Sequence, residues 1–449
     1  MSFKKKIMAV VAVSALTVAT AVPAMALENE FHGMFKFFGY ETNFFDGGTN
    51  GPLLKKDSHS GFFAEQRARI NYIAKANDNL KLVTHFELDS RFGGVVGGYK
   101  GATTGNDAGF LDADNVTLET KNVYLDFNCP ITGANVKAGI QPWADSYQSL
   151  FLLADMTGVY ATKKFDPLTV SLGWFRFDDK DVFQTNSIGR ITSDLIVLDG
   201  KFAISKDIVL GASYYNVQND SALASEKFEL LHMIGLNADV KAGPVTIKPF
   251  FAYQFGDAKP TGTVTNDISA FLAGATAKVK VGPGSINAAA IYLSGDDNGT
   301  GKNDDFKVIA QHTTYFNAAN MWLLVRSGQA VNSSTSILGN DMTVGGRGLV
   351  GFFAGYEGTF DKLFFNANVG YAMTAEERTN AGVKEDGSIG TEINAQIGYK
   401  LFDNLSISTA AAYAFLGDGL NSTTAAKRVG GAADADDPYM FNVQLAYAF

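Results

Sequence analysis

Residues 64–75 read AEQRARINYIAK. Ala64, Gln66, Ala68, Ile70, Tyr72 and Ala74 alternate with Glu65, Arg67, Arg69, Asn71, Ile73 and Lys75, and four of the latter six carry charge. A period of two is the signature of a β-strand whose faces meet different surroundings. The fold turns on which face points inward. A soluble sheet buries its apolar face. A barrel in a bilayer turns that face to the acyl chains and its polar face to a lumen.

The same period recurs along the chain. In NLKLVTHFELDSRF, Leu80, Leu82, Thr84, Phe86 and Leu88 oppose Lys81, His85, Glu87, Asp89 and Arg91. VTIKPFFAYQF places Val245, Ile247, Pro249, Phe251, Tyr253 and Phe255 on one side. SIGTEINAQIGYKL sets Ile389, Thr391, Ile393, Ala395, Ile397 and Tyr399 against Glu392, Asn394, Gln396 and Lys400.

Two kinds of connection alternate between these runs. One is short and rich in Asp, Asn, Gly and Pro: NDNL (77–80), FDPL (165–168), SKDI (205–208), KAGP (241–244), GPGS (282–285), FDKL (360–363) and FDNL (402–405). These residue types tighten turns through backbone geometry. The other kind is long and polar: 41–60, 93–115, 178–193, 256–267, 330–346, 375–388 and 417–437. One end of the sheet therefore carries tight turns and the other large loops, as in outer-membrane barrels with short periplasmic turns and long extracellular loops. A literal count gives twenty strands. The weakest pair, 306–316 and 320–329, alternates poorly, and eighteen remain without it. The expectation is an all-β, transmembrane antiparallel barrel of 16–20 strands, with eighteen preferred.

The N-terminus MSFKKKIMAVVAVSALTVATAVPAMA has a basic start, an apolar run and Ala24-Met25-Ala26, the form of a cleaved signal peptide over 1–26. The barrel is then 27–449. Removing three Lys and no acid takes the formal charge from -9 to -12, an unfavourable balance for nucleic acid. Beyond Ala26 no apolar run reaches the roughly 18 residues of a spanning helix. Cys129 is the only cysteine, which excludes disulfide scaffolds, zinc ribbons and c-type haem attachment. A soluble β-sandwich reading needs several domains of about 100 residues, and neither linkers nor repeats of that length occur.

The chain resembles Gram-negative outer-membrane porins, and is similar in style to porins of metal-reducing bacteria. The resemblance rests on the signal peptide, the first strand FHGMFKFFGY, the alternating strands and connections, and above all the ending FNVQLAYAF. It implies that Val443, Leu445, Tyr447 and Phe449 are the signal read by the barrel-assembly machinery. Gln444 departs from the Gly often found there. The resemblance also implies a water-filled channel for passive diffusion of small hydrophilic solutes and ions, contact with outer-membrane lipid and lipopolysaccharide, and a homotrimer. It further implies an early long loop folded into the lumen. By position that is 142–157 or 93–115, and Asp145 and Asp155 would then face the basic wall.

The hairpin at Asn77-Asp78-Asn79 fixes what that wall carries. Apolar positions must face apolar ones, so paired residue numbers sum to an even value. A sum of 156 joins Glu65 to Arg91, Arg67 to Asp89 and Arg69 to Glu87, all opposite charges. A sum of 154 opposes Glu65 to Asp89, and 158 opposes Arg67 to Arg91. Opposite charges across strands contribute roughly 0.2–1 kcal/mol each and like charges cost as much, so 156 is expected. Glu65, Arg67, Arg69, Lys81, His85, Glu87, Asp89 and Arg91 are the expected pore-lining residues. They form either an anion-attracting wall or a self-neutralised ladder that stiffens it, and the two readings are compatible.

Nothing in the chain points to an enzyme. The five His, namely His32, His59, His85, His232 and His312, lie in no HExxH or GxSxG context. GGRGLVG (345–351) fits GxGxxG formally but runs into a strand instead of a helix. The acidic stretch GDDNGTGKNDD (295–305) lacks the spacing of a helix-loop-helix calcium loop. No cofactor or metal is expected. The rival functional reading is a structural barrel that sheaths a partner, such as an electron-transfer complex, without general channel activity.

Overall fold

Each short turn sets two strands antiparallel in a register that keeps charged residues together and apolar ones together. In the computed structural model this pattern repeats around a full circle. The structure describes residues 27–44, 54, 56–93, 118–179, 192–219, 228–258, 267–297, 302–309, 315–325, 336–338, 342–380, 382–421 and 435–449. The expected signal peptide and most of 93–115 lie outside the described residues.

The first strands are β1 (Glu28–Thr42), β2 (Gly61–Asn77), β3 (Leu80–Arg91), β4 (Glu119–Asn128), β5 (Asn135–Ala144), β6 (Leu153–Lys164) and β7 (Leu168–Asp179). Next come β8 (Thr192–Ala203), β9 (Ile208–Asn219), β10 (Phe228–Ala242), β11 (Val245–Ala258), β12 (Asp267–Val281), β13 (Gly284–Leu293), β14 (Leu349–Phe360) and β15 (Leu363–Met373). β16 (Thr379–Asn380) and β17 (Val383–Lys384) form a separate two-stranded hairpin, and β18 (Ser388–Phe402), β19 (Leu405–Leu416) and β20 (Tyr439–Ala448) complete the wall. Neighbours pair antiparallel in chain order, β15 pairs with β18, and β20 pairs with β1, so the sheet is a closed 18-stranded barrel. Closure leaves no unpaired sheet edge, as a bilayer requires. At the seam Gly33 and Phe449 exchange backbone hydrogen bonds of 2.9 and 3.1 Å.

The outer face is apolar: Phe62 (71% exposed), Ile70 (43%), Leu172, Leu236, Phe251, Ile397 and Phe441 all project from it. No helix of the described residues is long and apolar enough to cross a membrane. The seven short connections all fall between strands where the sequence places them, and 129–134 is an eighth.

Of the weak pair 306–316 and 320–329, the described residues 306–309 and 315–325 form no strand, in keeping with the preferred count of eighteen: they belong to one connection, 294–348, between β13 and β14. One expectation needs correction. Ile389 does not share the outer face of β18. The ladder shifts register between Ala372 and Met373, beside Gly390 at φ 149°, and Ile389 is buried. Such a bulge inserts one residue and turns the preceding side chain to the other face.

The hydrophobic core lies inside the barrel. On β7 to β14 the inward residues are apolar too, including Phe175, Leu195, Val197, Leu231, Met233, Leu272, Leu293 and Phe353. Their partners are two inward segments, 145–152 and the described parts of 294–348.

Candidate functional site: a charged wall beside two inward segments

The hairpin of β2 and β3 adopts the register whose pairs sum to 156: Glu65 opposite Arg91, Arg67 opposite Asp89 and Arg69 opposite Glu87. These residues occupy the face opposite Phe62 and Ile70, so they line the interior. Arg67 grips Asp89 with two prongs, Nε at 2.7 Å and Nη2 at 2.5 Å. Its Nε also lies 3.4 Å from Glu87, which Arg69 pairs with directly. Arg91 Nη2 donates to Glu65 at 2.9 Å, and the Tyr40 hydroxyl donates to the same carboxylate at 2.8 Å. Lys81 reaches Asp126 at 3.5 Å, and His85 stands between Asn71 and Asn122 in the ladder.

Two groups, Lys121 and Lys36, extend this wall beyond the expected set. Lys121 of β4 lies 3.8 Å from Glu87 and 3.0 Å from Asp155. Asp155 is therefore not on an inward loop. It sits on β6 and also accepts from Asn122 at 2.7 Å. Lys36 of β1 stands opposite Arg67, cation beside cation, and has no carboxylate partner among the described residues. Lys36 and Lys121 were legible only once β1 and β4 had a register, because neither strand has a turn chemistry as plain as Asn77-Asp78-Asn79.

Asp145 does lie on an inward segment. Its carboxylate accepts backbone N–H groups of Tyr147 (2.6 Å), Ser149 (3.1 Å), Phe151 (2.8 Å) and Leu152 (2.7 Å). The turn wrapped on this carboxylate presents Tyr147, Leu150 and Phe151, all fully buried, to Trp143, Phe175 and Tyr215. Gly235 of β10 makes room: a Cβ there would stand 2.4 Å from the Tyr147 hydroxyl oxygen. Burial pushes the Asp145 carboxyl up to about 6, against the opposing pull of those N–H groups.

The second inward segment uses the same device. Glu392 of β18 is 0% exposed and accepts the N–H groups of Trp322 (2.7 Å), Leu323 (3.0 Å) and Leu324 (2.7 Å). Beside it Asn394 donates to the Asn320 carbonyl at 3.1 Å. Gln254 of β11 exchanges two hydrogen bonds of 2.8 Å with the Lys307 backbone. The two segments meet where the Tyr315 N–H donates to the Ser149 carbonyl at 3.1 Å. The sequence carried a signal for this second segment that alternation alone overlooks. LIVL (195–198), LLHMIGL (230–236) and WLLV (322–325) are apolar at successive positions, so the inward face of the two strands among them is apolar as well and needs a packing partner.

The residues at the C-terminus follow the expected register. Val443, Tyr447 and Phe449 are exposed on the outer face with Leu445 partly covered, while Asn442 and Gln444 point inward. The glycine-rich GGRGLVG is the turn into β14, with Gly345, Gly346 and Gly348 at positive φ. Among the described residues no cluster of His, Cys, Asp and Glu has the arrangement of a metal site.

This architecture is that of the outer-membrane porins. OccK2 (OpdF) of Pseudomonas aeruginosa is similar at TM-score 0.54 with 12% identity, over 94% of this chain and 98% of that one. A BenF-like porin from Pseudomonas fluorescens Pf-5 is similar at TM-score 0.53 and 13% identity, over 94% and 98%. OpdK of Pseudomonas aeruginosa, in its structure with vanillate, is similar at 0.52 and 10%, again over 94% and 98%. At such identities the likeness is one of fold. No family model matches the chain, and no curated protein matches it.

Proposed function

We propose that this protein is an outer-membrane channel that passes small hydrophilic solutes and ions down their gradients through a narrow path beside the charged wall of β1–β4. The observation that carries the reading is the inversion of the barrel. Apolar side chains cover its outer face, while Glu65, Arg67, Arg69, Glu87, Asp89 and Arg91 face a lumen. Charged groups on such a wall set a pore's local field. The inward segments favour a restricted path over a wide general pore, because they fill the lumen against β7–β14 with packed side chains. Export by a signal peptide, insertion through the C-terminal strand, contact with lipopolysaccharide and trimer formation belong to the same proposal.

The ladder is close to self-neutral, with Lys36 of β1 offset by Glu119 opposite Glu87, so the path is expected to discriminate weakly by charge. Reversal potentials across planar bilayers in a salt gradient test this. The Arg67→Ala/Arg69→Ala variant removes two positive charges, leaving Glu87 with Lys121 alone, and is expected to move preference toward cations. An unchanged reversal potential would reduce the ladder to scaffolding. The rival reading, a barrel that sheaths a partner, draws on the same packed interior. A folded barrel that gives no conductance steps would favour it.

A further inference from the structure

Beneath the segment 145–152, on the short-turn side, the inner walls of β6, β7, β8, β10 and β11 enclose a recess of about 460 Å³. Ligand pockets commonly measure roughly 300–1,000 Å³. We infer that this recess is a binding station for a small neutral polyhydroxylated solute, of monosaccharide size, that has passed or is about to enter the constriction. The inference rests on the channel reading and names a solute class for it.

The lining is built for hydroxyl recognition. Its carboxylates are engaged from within to different degrees. Asp145 is saturated by four backbone N–H groups. Asp199 accepts hydroxyls of Ser213 (2.6 Å), Tyr215 (3.0 Å) and Ser146 (3.2 Å). Asp239 pairs with Lys248 at 3.0 Å. With Lys201 the lining holds three carboxylates and two ammonium groups, one net negative charge, which disfavours an anion. A cation gains little from Asp145, whose lone pairs are all engaged, and competes with Lys248 for Asp239; the three hydroxyls on Asp199 all reach Oδ1, which leaves Oδ2 to accept a solute hydroxyl.

The other groups left for a ligand are neutral. Thr162 and Ser171 share a hydrogen bond of 2.9 Å and keep lone pairs free. Asn237 and Gln148 offer amides from opposite sides, one from the wall and one from the inward segment. The wall makes way for two of the liners. A Cβ at Gly211 would meet the Asn237 amide at 2.3 Å, and one at Gly274 would meet the Phe250 ring at 2.5 Å. An aromatic ring held against the wall beside paired donors and acceptors suits the mixed apolar and hydroxylated faces of a sugar. Asn237 and Gln148 are half-buried, and an amide that a wrong solute covers without pairing is the source of selectivity.

The test is glucose binding by the purified full chain, read as current block in planar bilayers and as heat in detergent calorimetry, with glucuronate and glucosamine as charged comparators. Glucose is expected to bind more tightly than either. Asn237→Leu/Thr162→Val is expected to weaken it on the order of tenfold while the heat-modifiable gel mobility of the folded barrel stays unchanged. No heat and no block with glucose, or glucuronate binding as well as glucose, would overturn the proposal. Glucose heat without conductance steps would keep the station and contradict the channel.

Discussion

Glu392 and Asp145 are single carboxylates on which whole segments hang. Each gathers three or four backbone N–H groups that would otherwise be buried without partners. An orphaned buried donor costs about 1–3 kcal/mol, so Glu392→Ala is expected to weaken docking of 320–325 by several kcal/mol while the barrel stays closed. Faster amide exchange at Trp322, Leu323 and Leu324, with unaltered heat-modifiable gel mobility, is the expected outcome. Unchanged protection would show that apolar packing alone holds the segment. Asp145 adds a pH dependence. Its carboxyl stands at about 6 in the fold against 3.8 when free. A raised carboxyl pKa favours the folded form below the free value, and that gain is lost as pH rises through about 6. The wild type should therefore gain thermal stability over Asp145→Asn between pH 7 and pH 4, by on the order of 2–3 kcal/mol. A flat difference across that window would contradict it.

At the scale of strands, the β2–β3 hairpin shows what sequence can specify. Asn77-Asp78-Asn79 marks the turn, alternation restricts the register to even sums, and charge complementarity selects among them. Arg67 and Asp89 then meet as a bidentate pair of 2.7 and 2.5 Å. A double-mutant cycle on Arg67 and Asp89 is expected to return a coupling on the order of 1 kcal/mol, and the exchanged variant Arg67→Asp/Asp89→Arg should recover it. Zero coupling would mean that closure and not charge fixes the register. Elsewhere period two runs out for identifiable reasons. The bulge at Gly390 turns Ile389 inward. Asp155 reads as a loop residue because the apolar, fully buried 150–152 precede it, yet β6 begins at Leu153. In 306–309 and 315–325 apolar residues crowd together because these stretches are packed inside a wall and form no part of one.

For the molecule as a whole, closure is the most legible feature. Even strand number, short turns at one end and a terminal Phe in register with Tyr447 and Val443 all follow from the chain. Phe449 exchanges backbone hydrogen bonds with Gly33 at the seam, so deleting it is expected to lower the yield of closed barrel, seen as loss of the heat-modifiable band. The occupied lumen is less legible. It depends on contacts between segments far apart in sequence, such as Tyr315 with Ser149 and Trp322 with Glu392. The central claim is a conducting barrel narrowed by those segments. Single-channel conductance of the purified chain, compared with that of Glu392→Ala, tests it most directly. The account predicts small, ohmic steps for the wild type and larger or noisier ones for the variant. Folded wild-type protein that gives no steps, or a variant whose steps are identical to it, would contradict the account.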